Sequence, residues 1–138
     1  MSLALAVLLT SVTVTVTSPG STPSSQLGLL TIESNIVRYT NAERARYGLP
    51  PLQVDPQLMA SARRHAAWMA RSRTLQHTSA TVAENIAMGQ STSHEAVADW
   101  MSSSGHRANI LGSGYSRIGA AAYRGPDGRI YWCQQFLW

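Results

Sequence analysis

Two histidines and a carboxylate near the middle of the chain are the side chains best suited to chemistry. Glu84 lies between His77 and His106, and His106 belongs to the run Gly-His-Arg-Ala-Asn-Ile-Leu at residues 105–111. Imidazole binds divalent metals and moves protons near neutral pH. Two imidazoles with one carboxylate would leave coordination positions open to water or substrate. These three residues therefore form a candidate cation site.

Each member of this candidate site also has a purely structural explanation. Glu84 follows Thr81 by three residues, which is the spacing of a capping box. Asn85 could orient the backbone of a loop. His106 could be a surface residue at the start of a helix, and His77 a residue of a loop. Two histidines without a third firm ligand should hold zinc only loosely.

The other two histidines fit structural positions better. His65 falls on the apolar stripe of a predicted helix, where we expect a packed, hydrogen-bonded side chain. His94 and Glu95 begin like the His-Glu-x-x-His motif of zinc proteases, but Ala98 stands where the second histidine would be. Glu95 and Asp99 lie one helical turn apart, which indicates a solvated acidic face. The Gly-x-Ser-x-Gly elbow of serine hydrolases is absent from the sequence.

The composition indicates one globular domain and excludes several classes of function. The chain has 138 residues, of which 44% are hydrophobic and 13% charged, with a formal net charge of +4. All eleven basic residues are arginines, dispersed from Arg38 to Arg129. They do not form the basic stripe of a nucleic-acid-binding protein, so we expect no nucleic-acid partner. Without a lysine, the chain cannot use Schiff-base chemistry.

The first 25 residues resemble a secretory signal followed by a linker. They carry no charge, and an apolar stretch of fourteen residues, 3–16, precedes a segment rich in serine and proline. We expect a leader at 1–25, a folded domain at 26–138, and export of that domain. The alternative is anchoring by an uncleaved N-terminal segment. Fourteen residues fall short of the roughly 20 that span a bilayer as a helix, so we expect no integral membrane domain after leader removal.

Hydrophobic periodicity predicts two helices in the first half of the domain. The first covers residues 31–47 and is ended by Gly48. The second has Asp55 as its N-cap and Pro56 as its first residue, and continues to about Arg71.

Two further helices should follow in the region of His106. Thr92 begins the spacing of a capping box, and the helix after it places Ala96, Trp100 and Ser103 on one face. Residues 105–111 should form a fourth, short helix.

The last part of the chain predicts an antiparallel hairpin. Residues 117–123 and 130–138 flank a Gly-Pro-Asp-Gly turn, and residues 84–88 could add a third strand. The final strand is apolar on both faces. Its side chains divide into Trp132 and Phe136 on one face and Tyr131, Cys133 and Leu137 on the other. Helices should therefore cover both faces of the sheet, with Cys133 as a buried, inert thiol.

Several short motifs follow one another along the chain. They are Asn41-Ala42-Glu43-Arg44, Gly48-Leu49-Pro50-Pro51-Leu52, Leu75-Gln76-His77, Glu84-Asn85-Ile86-Ala87, Trp100-Met101, Gly105-His106-Arg107-Ala108-Asn109-Ile110-Leu111, Ile118-Gly119, Tyr131-Trp132 and Gln135-Phe136. Over about residues 31–138, these motifs in this order resemble those of a bacterial, SCP-like member of the CAP superfamily, the cysteine-rich secretory, antigen five and pathogenesis-related proteins. The resemblance implies an α+β fold, an α-β-α sandwich with a small antiparallel sheet between helical layers, and usually secretion.

Many members of that superfamily have a cavity lined by two histidines and two acidic residues, in which the histidines hold a cation such as zinc. Carried over to this sequence, the cavity residues are His77, Glu84, Ser103 and His106, with His77 and His106 as metal ligands. Ser103 stands where eukaryotic members have the second acid, so half of the acidic complement is missing.

Two functional hypotheses follow from the residues and the resemblance. The first is a secreted binding module with a His/Glu-lined groove for a lipid, a cell-wall component or a partner protein. The second is a metal-dependent hydrolase in which His77 and His106 hold the cation and Glu84 is the general base. The missing second acid favours the non-enzymatic hypothesis.

Overall fold

The computed structural model describes residues 30–138, so the predicted leader at 1–25 and the domain boundary at 26 lie outside the described residues. Helices and strands follow one another as α1 (Thr31–Arg46), β1 (Gln53–Val54), α2 (Pro56–Ser72), β2 (Ala83–Met88), α3 (Ser93–Ser102), α4 (Ser104–Ile110), β3 (Arg117–Arg124) and β4 (Ile130–Leu137). The four predicted helices and the three predicted strands are confirmed to within a few residues at each end.

The strands form one four-stranded sheet in the order β1-β3-β4-β2. β4 lies in the centre and pairs antiparallel with both β2 and β3. β1 pairs parallel with β3 through Gln53 and Val54, so the sheet is mixed and not purely antiparallel as expected. A strand of two residues has no periodicity that could reveal it in the sequence.

Helices cover both faces of the sheet, which confirms the α-β-α sandwich. α2 packs on one face of β3 and β4, whereas α1, α3 and α4 lie on the other side. One buried core therefore joins α2 to the sheet, with members that include Ala62, Ala66, Met69, Tyr131 and Cys133. The larger core on the opposite face includes Ile36, Trp100, Ile110, Trp132 and Phe136. The predicted division of the β4 side chains between two cores is confirmed.

The helix α2 begins as its sequence predicts. The Asp55 carboxylate accepts hydrogen bonds from the backbone N–H groups of Gln57 and Leu58, at 2.8 and 2.9 Å, and Pro56 occupies the first turn. Further along, Gly119 of β3 lies directly against the backbone of Leu58, where a Cβ atom would come within 2.2 Å of the Leu58 carbonyl carbon. The absence of a side chain at Gly119 lets α2 lie close to the sheet.

The prediction that Ser103 continues the face of Ala96 and Trp100 is wrong. α3 ends at Ser102, and Ser103 has an extended backbone with φ −107° and ψ 125°. Because α4 begins at the next residue, Ser103 is the corner between two helices and has left the helical spacing of α3.

None of the helices within residues 30–138 combines the length and the hydropathy needed to cross a membrane.

Candidate functional site

Glu84 is the buried centre of the candidate site. It lies near the start of β2, directly opposite Gln135 of β4, and only 7% of the residue is exposed. Its Oε1 atom accepts a hydrogen bond from the backbone N–H of Thr78 at 2.9 Å, and its Oε2 atom accepts one from the Gln135 amide at 2.8 Å. The Cys133 thiol lies 3.5 Å from the same Oε2 atom. Thr81 makes no such contact, so Glu84 does not complete the capping box considered above.

These hydrogen bonds keep the Glu84 carboxylate ionised. Burial by itself raises the pKa of a carboxyl group, but the bonds from Gln135, Thr78 and His77 outweigh burial and lower the pKa of Glu84 below its usual value. Burial, together with the neighbouring Glu84 carboxylate, raises the pKa of the Cys133 thiol well above its usual range. Cys133 is fully buried, as predicted for a structural thiol.

His77 is held by Glu84 but presents its ring to solvent. Its Nδ1 atom lies 2.9 Å from Glu84 Oε1, and 59% of its side chain is exposed. Because an ionised carboxylate can only accept hydrogen bonds, Nδ1 must be the donor. In the neutral tautomer that this bond selects, the Nε2 atom carries a free lone pair, which is what a metal-binding imidazole needs.

His106 lies on α4, half-buried, within electrostatic reach of His77. The pKa of His106 is lowered below its usual value, mainly by burial and additionally by the charge of a protonated His77. An imidazole with a lowered pKa is neutral at neutral pH and can donate a lone pair to a cation. The structure thus brings His77, Glu84 and His106 into one region, although they come from a loop, a strand and a helix.

A buried amide network connects α4 to the sheet. The Asn85 side-chain amide donates to the backbone carbonyl of His106 and to Gln134 Oε1, each at 3.1 Å. Asn109 donates to Asn85 Oδ1 at 2.9 Å and to the backbone carbonyl of Glu84 at 3.2 Å. Asn85 therefore fixes the backbone at His106 beside the strand that carries Glu84, which is a more specific role than orienting a loop.

A buried arginine fixes the other end of α4. The guanidinium of Arg44 on α1 donates hydrogen bonds of 2.9–3.3 Å to four backbone carbonyls, and the residue is fully buried. These carbonyls belong to Pro50, Ile110, Gly112 and Tyr115. Since Ile110 is the last residue of α4, Arg44 ties this helix to α1.

Ser103 is not joined to the other three predicted cavity residues. Within residues 30–138, no hydrogen bond or ion pair links its side chain to His77, Glu84 or His106. Its place in the cavity stays a prediction. The hydroxyl provides no charge there in any case.

The side chains of the candidate site do not make up a complete metal site. Over the described part of the chain, no three His, Cys, Asp or Glu side chains are grouped so that they could hold a metal ion together. The Glu84 oxygens already face four donor groups inside the protein, one of which is the His77 ring. Glu84 therefore orients His77 and is not itself available to a cation. A cation at His77 and His106 would have only two imidazole donors and would need water or another group to complete its coordination.

Sequence reasoning missed the contact of His65 with this site. Its packing and hydrogen bonding are as predicted: the side chain is 11% exposed and Nε2 lies 2.8 Å from the backbone carbonyl of Gln76. The same Nε2 atom also lies 3.8 Å from Glu84 Oε1, and the ring stacks on Trp68. Gln135 was missed too. A polar residue inside an otherwise apolar strand was the signal that could have found it.

The acidic residues of α3 have the surface roles predicted for them. Glu95 accepts a hydrogen bond from the backbone N–H of Ser91, and Asp99 accepts one from the Gln90 side chain. His94 packs edge-on against Tyr39, with 5.1 Å between ring centroids. None of these contacts belongs to the candidate site.

The family is shown by sequence comparison. Residues 37–136 match the profile of CAP, the cysteine-rich secretory protein family. This chain belongs to the CAP family. The CAP domain is also 37% identical over 134 residues to an uncharacterised protein, YkwD of Bacillus subtilis, covering 85% of this chain and 51% of YkwD. The chain thus spans about half the length of that relative.

Solved structures agree with this assignment. An extracellular protein of Bacillus anthracis that contains an SCP domain superposes with a TM-score of 0.66 at 26% identity, over 87% of this chain and 45% of that one. An outer surface protein of Borrelia burgdorferi superposes with a TM-score of 0.67 over 78% of this chain and 94% of the other. At 18% identity, the second match supports the fold alone.

Proposed function

We propose that this CAP domain is secreted and acts as a binding module, with a groove at His77, Glu84 and His106 that holds a divalent cation such as zinc. The uncharged apolar leader supports export. So does the likeness to an extracellular SCP-domain protein of Bacillus anthracis. An uncleaved leader that anchors the domain at the cell surface is the alternative.

The observation that carries this proposal is the hydrogen bond between His77 and Glu84. A buried carboxylate on the Nδ1 side of a histidine selects the tautomer whose Nε2 lone pair faces outward. His106 supplies the second neutral imidazole. A cation held by these two side chains would provide positive charge to an anionic or polar group of a ligand, while Asn85 keeps the α4 backbone in place.

No observation favours the hydrolase alternative. A general base needs a free oxygen facing the reacting water and a pKa near the working pH. Both Glu84 oxygens accept hydrogen bonds within the protein, and the pKa of Glu84 is lowered, which weakens it as a base. Glu84 is better explained as the residue that positions His77.

Thermal unfolding with and without zinc tests the proposed cation site. Zinc at about ten times its Kd stabilises a one-site protein by about 1.4 kcal/mol, which should raise the Tm of a domain of this size by about 5 °C. The double variant His77→Ala, His106→Ala should lose this rise. His94→Ala is the matched control and should keep the rise, because His94 packs against Tyr39 and makes none of the contacts of the site.

Two results would reject the cation site. An unchanged wild-type Tm in excess zinc would show that no cation binds to the folded domain. A full zinc response in the double variant would place the bound zinc elsewhere on the protein.

A further inference from the structure

A trough beside the candidate site combines an exposed tryptophan with free polar side chains. Trp68, on α2, is 41% exposed although it is a large apolar residue. Two adjoining depressions of about 450 and 340 Å³ meet at Trp68 and share His65, Thr78 and Ser79. Gln76 and His77 line the first depression, and Arg64 lines the second. The trough therefore runs from the α2 surface to the exposed ring of His77.

The Trp68 ring is supported on one face by a second ring. It stacks on His65, with 5.7 Å between centroids and 12° between the ring planes. His65 is itself fixed by the hydrogen bond from Nε2 to the Gln76 carbonyl. A preorganised aromatic ring loses little conformational entropy when a ligand stacks on it. An exposed ring with this support is suited to binding.

Three polar side chains around the ring have no hydrogen-bond partner in the described part of the fold. Within residues 30–138, the side chains of Arg64, Gln76 and Ser79 make no hydrogen bond or ion pair with the protein. Unpaired donors and acceptors beside an apolar ring are the features that orient a polar ligand in a pocket. The trough thus offers one flat apolar surface and several hydrogen-bonding groups on its walls.

We infer that this trough binds a glycan strand, with one pyranose ring stacked on Trp68. The carbon-bound hydrogens of a pyranose form an apolar face that packs on an indole ring, and its hydroxyls reach outward to groups such as Gln76 and Ser79. Arg64 adds a preference for acidic glycans, because an unpaired guanidinium recognises carboxylates. The inference rests on the proposed role as an extracellular binding module, but it does not depend on the cation.

A lipid surface is the competing occupant, since Leu75 is also exposed, at 45%, near the end of α2. Binding to a membrane favours apolar side chains that protrude, whereas Trp68 lines a depression with polar walls. The structure therefore favours a glycan over a membrane.

Calorimetric titration of the full chain in EDTA tests the inference, with tetragalacturonate as the acidic probe and chitotetraose as the neutral probe. Both should bind, tetragalacturonate more tightly. Trp68→Ala should raise the Kd of both glycans about tenfold, the factor that corresponds to about 1.4 kcal/mol of lost stacking. Arg64→Gln should lower the affinity for tetragalacturonate to that for chitotetraose. Trp138→Ala removes an exposed tryptophan that does not line the trough, and it should change neither Kd.

The outcomes separate this inference from the proposed cation site. His106→Ala should abolish the zinc response, because it removes one of the two proposed ligands. It should leave glycan binding intact, because His106 does not line the trough. The inference is overturned if wild type binds neither glycan, or if Trp68→Ala binds like Trp138→Ala while unfolding at the wild-type temperature. Binding to phosphatidylglycerol vesicles that is lost in Leu75→Ser, without glycan binding, would make the surface a membrane contact instead.

Discussion

The Nδ1 atom of His77 lies 2.9 Å from Glu84 Oε1, so an imidazole that is mostly exposed is oriented by a carboxylate that is almost fully buried. The tautomer of His77 is thereby set from inside the protein, while its other nitrogen remains available to solvent. This relationship determines what the removal of single groups around the site should do.

Glu84→Gln should destabilise the fold. The Glu84 oxygens accept from Thr78, Gln135 and His77, and a glutamine amide would turn an N–H group toward at least one of these donors. We expect a loss of about 2–3 kcal/mol in the free energy of unfolding, measured with urea. Glu43→Gln, in a surface pair with Arg46, is the control and should change it by less than about 0.5 kcal/mol. Equal losses in the two variants would contradict the role assigned to Glu84.

His106 should make the domain less stable in mild acid. Because burial and the His77 charge lower the pKa of His106 in the folded protein, the unfolded chain takes up this proton first as the pH falls. The free energy of unfolding should not depend on His106 above the unfolded pKa, near 6.5, and should decrease below it. Urea unfolding at pH values from about 8 to 5 measures this decrease.

The variant His106→Gln should show a smaller decrease over the same pH range. His94→Gln should leave the contribution of His106 in place. Glu84 affects the free energy of unfolding at lower pH. Because its pKa is lowered in the folded protein, its contribution is present above the unfolded pKa, near 4.3, and is lost as the pH falls further. If His106→Gln has the same pH dependence as wild type above about pH 5, the burial of this imidazole has no energetic effect.

Asn85→Ala should affect both stability and zinc affinity. It removes donors to the His106 carbonyl and to Gln134 and leaves the Asn109 amide without one of its acceptors. We expect a loss of about 2–3 kcal/mol in urea unfolding, and a zinc Kd raised about tenfold or more because His106 loses its support. Asn35→Ala removes only an exposed 3.4 Å contact with Arg38 and serves as the control. An unchanged zinc Kd would show that this network does not position His106.

Arg44→Lys should be costly although the charge is kept. An ammonium group cannot reproduce the planar set of N–H donors that reaches the carbonyls of Pro50, Ile110 and Gly112. We expect a loss of about 2–4 kcal/mol in the free energy of unfolding. Arg46→Lys changes an exposed arginine and should stay within about 0.5 kcal/mol of wild type. A similar result for both variants would show that the charge at Arg44, and not its geometry, matters.

Local patterns predicted most of the fold. The N-cap and proline at Asp55-Pro56, and the Gly-Pro-Asp-Gly turn before β4, act over a few residues and can therefore be recognised in the sequence. The apolar character of both faces of β4 predicted that helices cover the sheet on both sides, as they do. In each case, the signal and the structure it predicts share the same stretch of chain.

Relationships between distant segments could not be predicted in this way. The parallel pairing of β1 with β3, the contact of His65 with Glu84, and the corner at Ser103 depend on how helices pack on the sheet. His77, Glu84 and His106 were selected from chemistry and resemblance. Their sequence spacing alone did not show that a hydrogen bond joins the first two residues.

The single cysteine of this chain has a consequence for the conditions in which the domain can work. Cys133 is buried in the core between α2 and the sheet, next to the Glu84 carboxylate, which disfavours its thiolate. The sequence has no second cysteine that could pair with it. The sandwich is stabilised without a disulfide bond between its layers. Its folding should need no oxidant or disulfide isomerase, and reducing agents should leave its melting temperature unchanged. This member of a family described as cysteine-rich should thus have the same stability in oxidising and reducing surroundings.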